Sequence, residues 1–255
     1  MGKRLYPLQN ASLLLKRLKG DPVRNSDFLY RVFVSRGKFD IYSTKEMGAA
    51  MAVQAKQRHL IFWGNWDDVV IPQSLLPEKD FFVSSSPPGA VLLMGKSREI
   101  TGEWPCWHFL APESYGPGSW DRIGPIKLEE VPFISKHWAL SDDPEREMMS
   151  RVRKFDSACI RVRGRPIAWC GLHYEIEGVG NMGFAHTLDR HRRKGYAALV
   201  TKALVNRLAA RGNRATVHVI KDNLASIALC ESMGFEVIGE LTWASFGKRT
   251  APCDK

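Results

Sequence analysis

At 255 residues, 44% of them hydrophobic, the chain can bury a full core as one large domain or two ordinary ones, which excludes a disordered or fibrous protein. No run approaches the roughly eighteen apolar residues that span a bilayer, and Met1-Gly2-Lys3-Arg4-Leu5-Tyr6 lacks a secretory apolar core. The expectation is therefore a soluble intracellular protein, cytoplasmic, with a mitochondrial or nuclear site left open. Lys and Arg number 37 against 27 Asp and Glu, a net charge of +10 that suits a polyanionic partner.

Leu8 to Leu18 places leucines at helical spacing and stops at Gly20. Ser43-Thr44-Lys45-Glu46 reads as a capping box that opens a helix to about Arg58. His59 to Trp63, Phe81 to Ser85 and Ala90 to Met94 read as short strands, with Pro87-Pro88-Gly89 as a turn before the last. Trp63, Trp66, Trp104 and Trp107 read as core residues first and as a ligand surface second. The stretch from Ala111 to Pro125, rich in Pro and Gly and without apolar period, marks a connection and a domain boundary.

Beyond it, Glu129 to Trp138 is helix-like, and Pro144 to Phe155 is a helix with proline in its first turn. Three strands follow, Ala158 to Val162, Ile167 to Tyr174 and Asn181 to Leu188, joined by glycine-bearing turns as an antiparallel meander. A helix from Tyr196 to Arg211 ends at Gly212, and a strand from Ala215 to Ile220 completes a parallel crossover. Five scattered cysteines, Cys106, Cys159, Cys170, Cys230 and Cys253, form no C-x-x-C pair, so the reading is free thiols and no metal.

The most informative segment is Arg192-Arg193-Lys194-Gly195-Tyr196-Ala197, at the strand-to-helix junction. A glycine there lets backbone approach a ligand, the helix start offers unpaired N–H groups and a positive dipole end, and three cations flank it. From Asp189 to Arg214 there are eight Lys or Arg against one acid. That combination suits a pyrophosphate.

These residues, followed by Asn223, Ser226, Leu229, Gly234 and Phe235 after the next strand, resemble the two signature motifs of the GNAT acyltransferase superfamily. Lys136-His137-Trp138, Ser157-Ala158-Cys159, Pro166-Ile167-Ala168-Trp169 and Ala185-His186-Thr187-Leu188 resemble its glycine N-acyltransferase-like (FR47-like) branch, over about residues 126–246. The resemblance implies an α/β GNAT-like fold over residues 126–250, a mixed central sheet with two splayed parallel strands. It implies that the α/β half over residues 1–120 is a degenerate copy.

It further implies an acyl-CoA co-substrate, acetyl-CoA or longer, whose pyrophosphate sits on Arg192, Arg193, Lys194, Gly195, Tyr196 and Ala197. Main chain near Ala185 and Thr187 would bond the pantetheine, and Asn223 would stand at the second motif. The acceptor implied is a small amine or amino acid, glycine by the branch. At the position where many members carry a base stands Asn181, which can only orient a water, and where many carry a tyrosine acid stands Cys230. His173, Glu175, Glu177, His186 and His218 are the other titratable groups near this cleft, with His186 on the cofactor strand. A different base, proximity alone, and acyl-CoA binding without turnover all stay open, as do a protein or peptide amine acceptor and a nucleic-acid-binding module.

Overall fold

The computed structural model describes residues 2–35, 38–138 and 143–249; Cys253 lies outside them. They form two compact units: one of Met1–Trp107, Ile220–Asp222 and Gly239–Lys255, the other of His108–Val219 and Asn223–Ile238.

The N-terminal unit begins with β1 (Lys3–Arg4) and β2 (Tyr6–Pro7), then α1 (Ala11–Lys19) and α2 (Pro22–Leu29). Asn10 and Asp21 cap the two helices through their side chains, and Leu14 and Leu18 bury the leucine stripe. β3 (Asp40–Ser43), β4 (Ala49–Gln54) and β5 (His59–Gly64) pair as an antiparallel meander. β6 (Val69–Val70) pairs parallel with β1, and β7 (Phe81–Ser86) lies parallel to β5. α3 (Pro88–Gly95) and the long β8 (Arg98–Leu110) follow. Met51, Leu60, Phe62, Phe81, Val83 and Met94 anchor this core.

Two expectations are corrected here. Ser43 to Glu46 opens no helix: the Thr44 hydroxyl accepts the Gly48 and Ala49 N–H groups at 3.1 and 3.3 Å, closing a tight turn with Met47 at φ 52°. The following Ala49–Gln54 is a strand buried along its whole length, so burial between neighbours overrides alanine's helix preference. Ala90 to Met94 is helix, not strand. A five-residue apolar run carries no period that separates the two, and Pro88 at the first turn is a helix start rather than a turn.

In the C-terminal unit, the expected helix over Glu129 to Trp138 is one α-helical turn, α4 (Val131–Ile134), flanked by 3₁₀ turns, and α5 (Pro144–Lys154) is capped by Asp143. β9 (Ser157–Val162), β10 (Arg165–Ile176) and β11 (Val179–Thr187) form the expected meander. α6 (Tyr196–Ala209) crosses over to β12 (Arg214–Ile220), parallel to β11; α7 (Leu224–Ser232) and β13 (Glu236–Arg249) complete the chain.

The two faces of this unit's sheet can be told apart. Cys170 Sγ lies 3.3 Å from the Val200 carbonyl of α6, so Trp169, its neighbour on β10, faces the other way, into a cluster with Ile134 of α4 and Met148 of α5. The connection over 111–125 is bound down rather than loose: Tyr115 N–H donates to Asn206 Oδ1 and Tyr115 Oη to the Met233 carbonyl, both at 2.7 Å. Lys202 Nζ sits over the Tyr115 and Trp120 rings at 5.1 and 4.6 Å.

Candidate functional site

β11 and β12 pair from Val179↔Arg214 to Met182↔Val217, and β11 then runs on to Thr187 without that partner. On its other side β11 changes register against β10: Trp169 faces His186 but Gly171 faces Gly183, so the stretch between carries one extra residue. Phe184 takes the extra residue's strain with φ 37°, its ring packed over Gly171, where a Cβ would stand 2.2 Å from Phe184 Cζ. The bulge thus lies where β11 has left β12, and it turns Ala185 out to solvent.

Beyond the bulge, Thr187 Oγ1 is buried and has no hydrogen-bond partner among the described residues. A buried hydroxyl left unpaired costs about 1–3 kcal/mol. The Thr187 carbonyl accepts from Arg192 Nε at 3.2 Å, and Arg192 also pairs with Asp189 at 2.9 Å. These contacts tie the phosphate-type turn to the end of the strand. Arg193 (φ 60°) and Gly195 (φ 78°) bring the chain into α6, which starts without a side-chain cap. α1, α2, α5 and α7 each have such a cap, whereas α3 and α4, like α6, start without one; at α6 the N–H groups of Tyr196 and Ala197 follow directly on a glycine and three cations. Arg192, Arg193 and Lys194 are exposed around them.

The strand end, the bulge and the turn are contiguous, so Ala185, His186, Thr187 and Arg192 to Ala197 form one neighbourhood. Asn223 stands at the start of α7, where its side-chain oxygen accepts the Ser226 N–H at 3.1 Å as a cap. Asn181 is buried deeper on β11, paired in register with Thr216 and donating to its hydroxyl at 3.2 Å. Cys230 has a different environment. Burial pushes its thiol to about 12, so passing its proton to a leaving thiolate of ordinary acidity runs uphill. Tyr115, which sequence reading left inside a connection, is likewise raised to about 12 by burial and then by Cys230.

Glu175 is bonded to Arg211 at 3.0 Å and to Asn213 at 2.7 Å. His218 stands edge-on to His108 with ring centroids 4.6 Å apart, and the His173 ring packs against Phe184 beneath the bulge at 5.7 Å. Glu177 is exposed in the turn between β10 and β11, at φ 47°. His186 is different, because its ring stacks on that of His137 at 4.7 Å with 29° between planes. Burial first, then His137 and Arg192, lower its pKa, with Asp189 opposing. His137 is part of the word Lys136-His137-Trp138, but nothing in its spacing shows that it meets His186; only the 3₁₀ turn after α4 brings them together.

Residues 161–244 match the family model described as FR47-like protein. Among solved structures, a Drosophila protein aligns with TM-score 0.67 at 14% identity, covering 96% of this chain and 99% of its own. A GNAT-family acetyltransferase from Colwellia psychrerythraea aligns with TM-score 0.59 at 12% identity over 96% and 99%. A tandem GNAT protein from the clavulanic acid biosynthesis pathway aligns with TM-score 0.51 at 11% identity over 98% and 99%. At these identities the likeness is one of fold.

Proposed function

Because the chain has the GNAT fold with an FR47-like segment inside it, we propose that it is an acyl-CoA-dependent N-acyltransferase acting on a small amine or amino acid, with glycine as the first acceptor to try. The observation that carries this reading is the uncapped, cation-flanked start of α6, set directly after a strand that has parted from its parallel neighbour and bulged.

The residues fit the donor. Arg192, Arg193 and Lys194 with the N–H groups of Tyr196 and Ala197 match a pyrophosphate; Thr187 Oγ1 and the backbone at Ala185 match the amides of a pantetheine arm. Acyl-CoA supplies the activated acyl group. The chain's contribution is to hold donor and acceptor in reach of one another, to polarise the carbonyl through backbone at the bulge, and to remove a proton from the amine. Coenzyme A, rather than nucleic acid, is the anion that the turn and its flanking Arg192, Arg193 and Lys194 serve.

Gly195→Asp tests the site directly. At φ 78° with no atom within 4 Å of a Cβ, the position has room for aspartate, which is strained in the left-handed region but visits it more readily than most residues, and its charge faces the pyrophosphate. Acetyl-CoA at a hundredfold excess over Kd should stabilise the wild-type protein by about 2.7 kcal/mol, a Tm rise of roughly 5–10 °C, and Gly195→Asp should abolish the rise while still melting cooperatively, at a modestly lower Tm of its own. Equal stabilisation of both proteins would remove the reading's main support. Thiol release from acetyl-CoA with glycine and a panel of amines then separates an enzyme from a binder.

A further inference from the structure

Trp169 and His186 are register partners on β10 and β11, so their side chains share a face of the sheet, the one turned away from α6. His186 therefore stands on the opposite side of β11 from the helix whose start holds the pyrophosphate-type turn. On that face His186 is half-buried, with its ring 5.1 Å from that of the fully buried Trp169 and 4.7 Å from that of the exposed His137. His137 in turn packs against Phe133 at 5.4 Å and Trp169 at 5.5 Å, which holds it in the stack. The arrangement is an imidazole beside the bulge whose outer neighbour is a second imidazole reaching solvent.

Resting on the reading above, we propose that His186 is the catalytic proton acceptor for the acceptor amine and that His137, stacked against it, is the positioning residue that holds its ring. The acceptor arrives as an ammonium ion, and His186 takes one of its protons. The freed amine forms the N–C bond to the thioester carbonyl as the C–S bond breaks, and a second N–H proton goes to the departing thiolate. The proton on half-buried His186 leaves to solvent, so each turn yields amide, free thiol and one proton.

The groups acting on His186 are His137 from the turn after α4, and Arg192 and Asp189 from the turn before α6; Trp169 from β10 is uncharged. Two stacked imidazoles cannot both hold a proton without repulsion, and the Arg192 cation adds to it. Burial, His137 and Arg192 together leave His186 neutral and ready to accept. An anionic pyrophosphate on Arg192 offsets that cation, so His186 gains basicity when the donor is bound.

Two measurements decide this. The first needs no acceptor: imidazole titration by NMR, with the His186 signals assigned from His186→Gln, in the free protein, with coenzyme A, and in His137→Gln. The expected His186 midpoint lies below the ordinary 6.5, rises with coenzyme A, and rises in His137→Gln. A midpoint at the ordinary value that neither change moves overturns the pairing of the two imidazoles.

The second is thiol release from acetyl-CoA with glycine between pH 5.5 and 9, beside acetyl-CoA stabilisation of each variant. His186→Gln should lose roughly 100-fold or more in rate together with the rising pH limb, with stabilisation unchanged. His137→Gln should keep the limb but shift it to higher pH. A wild-type protein that acetyl-CoA fails to stabilise defeats the proposed function. Intact binding and an unaltered His186→Gln rate defeat only this inference.

Discussion

A single bulge governs the geometry at the residue scale. Phe184 holds a left-handed φ of 37° because its ring has the flat face of Gly171 to lie on and neighbours Trp138 and His173 at 5.9 and 5.7 Å. The glycine is required by that close approach, since its own φ is not among the positive ones. Gly171→Ala pushes a methyl into the ring, and the buried cluster gives way only by moving Phe184 and the backbone beside Ala185. We expect a loss of about 1–3 kcal/mol in stability and a weaker acetyl-CoA affinity, read by thermal melts and calorimetric titration. A variant with lowered Tm but unchanged affinity would separate the bulge from the donor site.

At the element scale, the segment that carries α4 is fastened to β9 by Glu130. Its carboxylate accepts Arg161 Nε and Nη2 at 2.6 Å each and the Lys127 N–H at 2.8 Å, while Arg161 Nη2 also donates to the Pro125 carbonyl at 2.7 Å. Burial alone would raise this carboxyl, but the hydrogen bonds from Arg161 and Lys127 and their charges outweigh it and hold the pKa below 4.5. A carboxylate depressed in the folded state contributes stability above its unfolded pKa and loses it as pH falls through the folded one. The wild-type Tm should therefore drop more steeply than that of Glu130→Gln below about pH 4.5. At neutral pH the variant should be less stable by about 1–3 kcal/mol, under the range for a fully buried pair because Arg161 keeps some solvent contact. Parallel pH melts that track each other would show the pair to be without net effect. The same element sets His137 on His186, so weakening it should also disturb the imidazole stack.

For the whole molecule, the two units repeat one order of elements. Two helices lead to a three-stranded meander, a crossover to a parallel strand, a helix and a long strand, first from α1 to β8 and again from α4 to β13. The two runs of elements differ at the crossover. Between β5 and β7 runs only β6 and one 3₁₀ turn, where the other unit has α6. β5 and β7 pair from His59↔Phe82 to Ile61↔Ser84, and beyond that Ser86 Oγ accepts the Phe62 N–H at 3.1 Å. Trp66, 4% exposed, stands edge-on to Phe62 at 4.8 Å and reaches the first turn of α3 beside Gly89. A serine bridge and an indole fill the gap, and no uncapped crossover helix meets it. We expect calorimetric titration with acetyl-CoA to give one site per chain, lost entirely in Gly195→Asp; two sites, or one that survives the substitution, would place a donor site in the N-terminal unit.

Local chemistry made much of this readable without coordinates. The turn Arg192 to Ala197, the meander of β9 to β11 and the crossover through α6 all rest on short-range signals: glycine at a positive φ, turn residues between alternating runs, and a helix between two strands. Those signals are written within a few residues, so the GNAT fold of the C-terminal half was legible. Ser43 to Glu46 and Ala90 to Met94 were misread because a hydroxyl that caps a helix also closes a turn, and five apolar residues have no period. Which imidazole meets which, that Phe184 lies over Gly171, and that Trp66 fills the gap beside β5 depend on residues far apart in the chain. Packing alone decides such contacts, because a side chain's pKa and strain come from the neighbours that the fold brings to it.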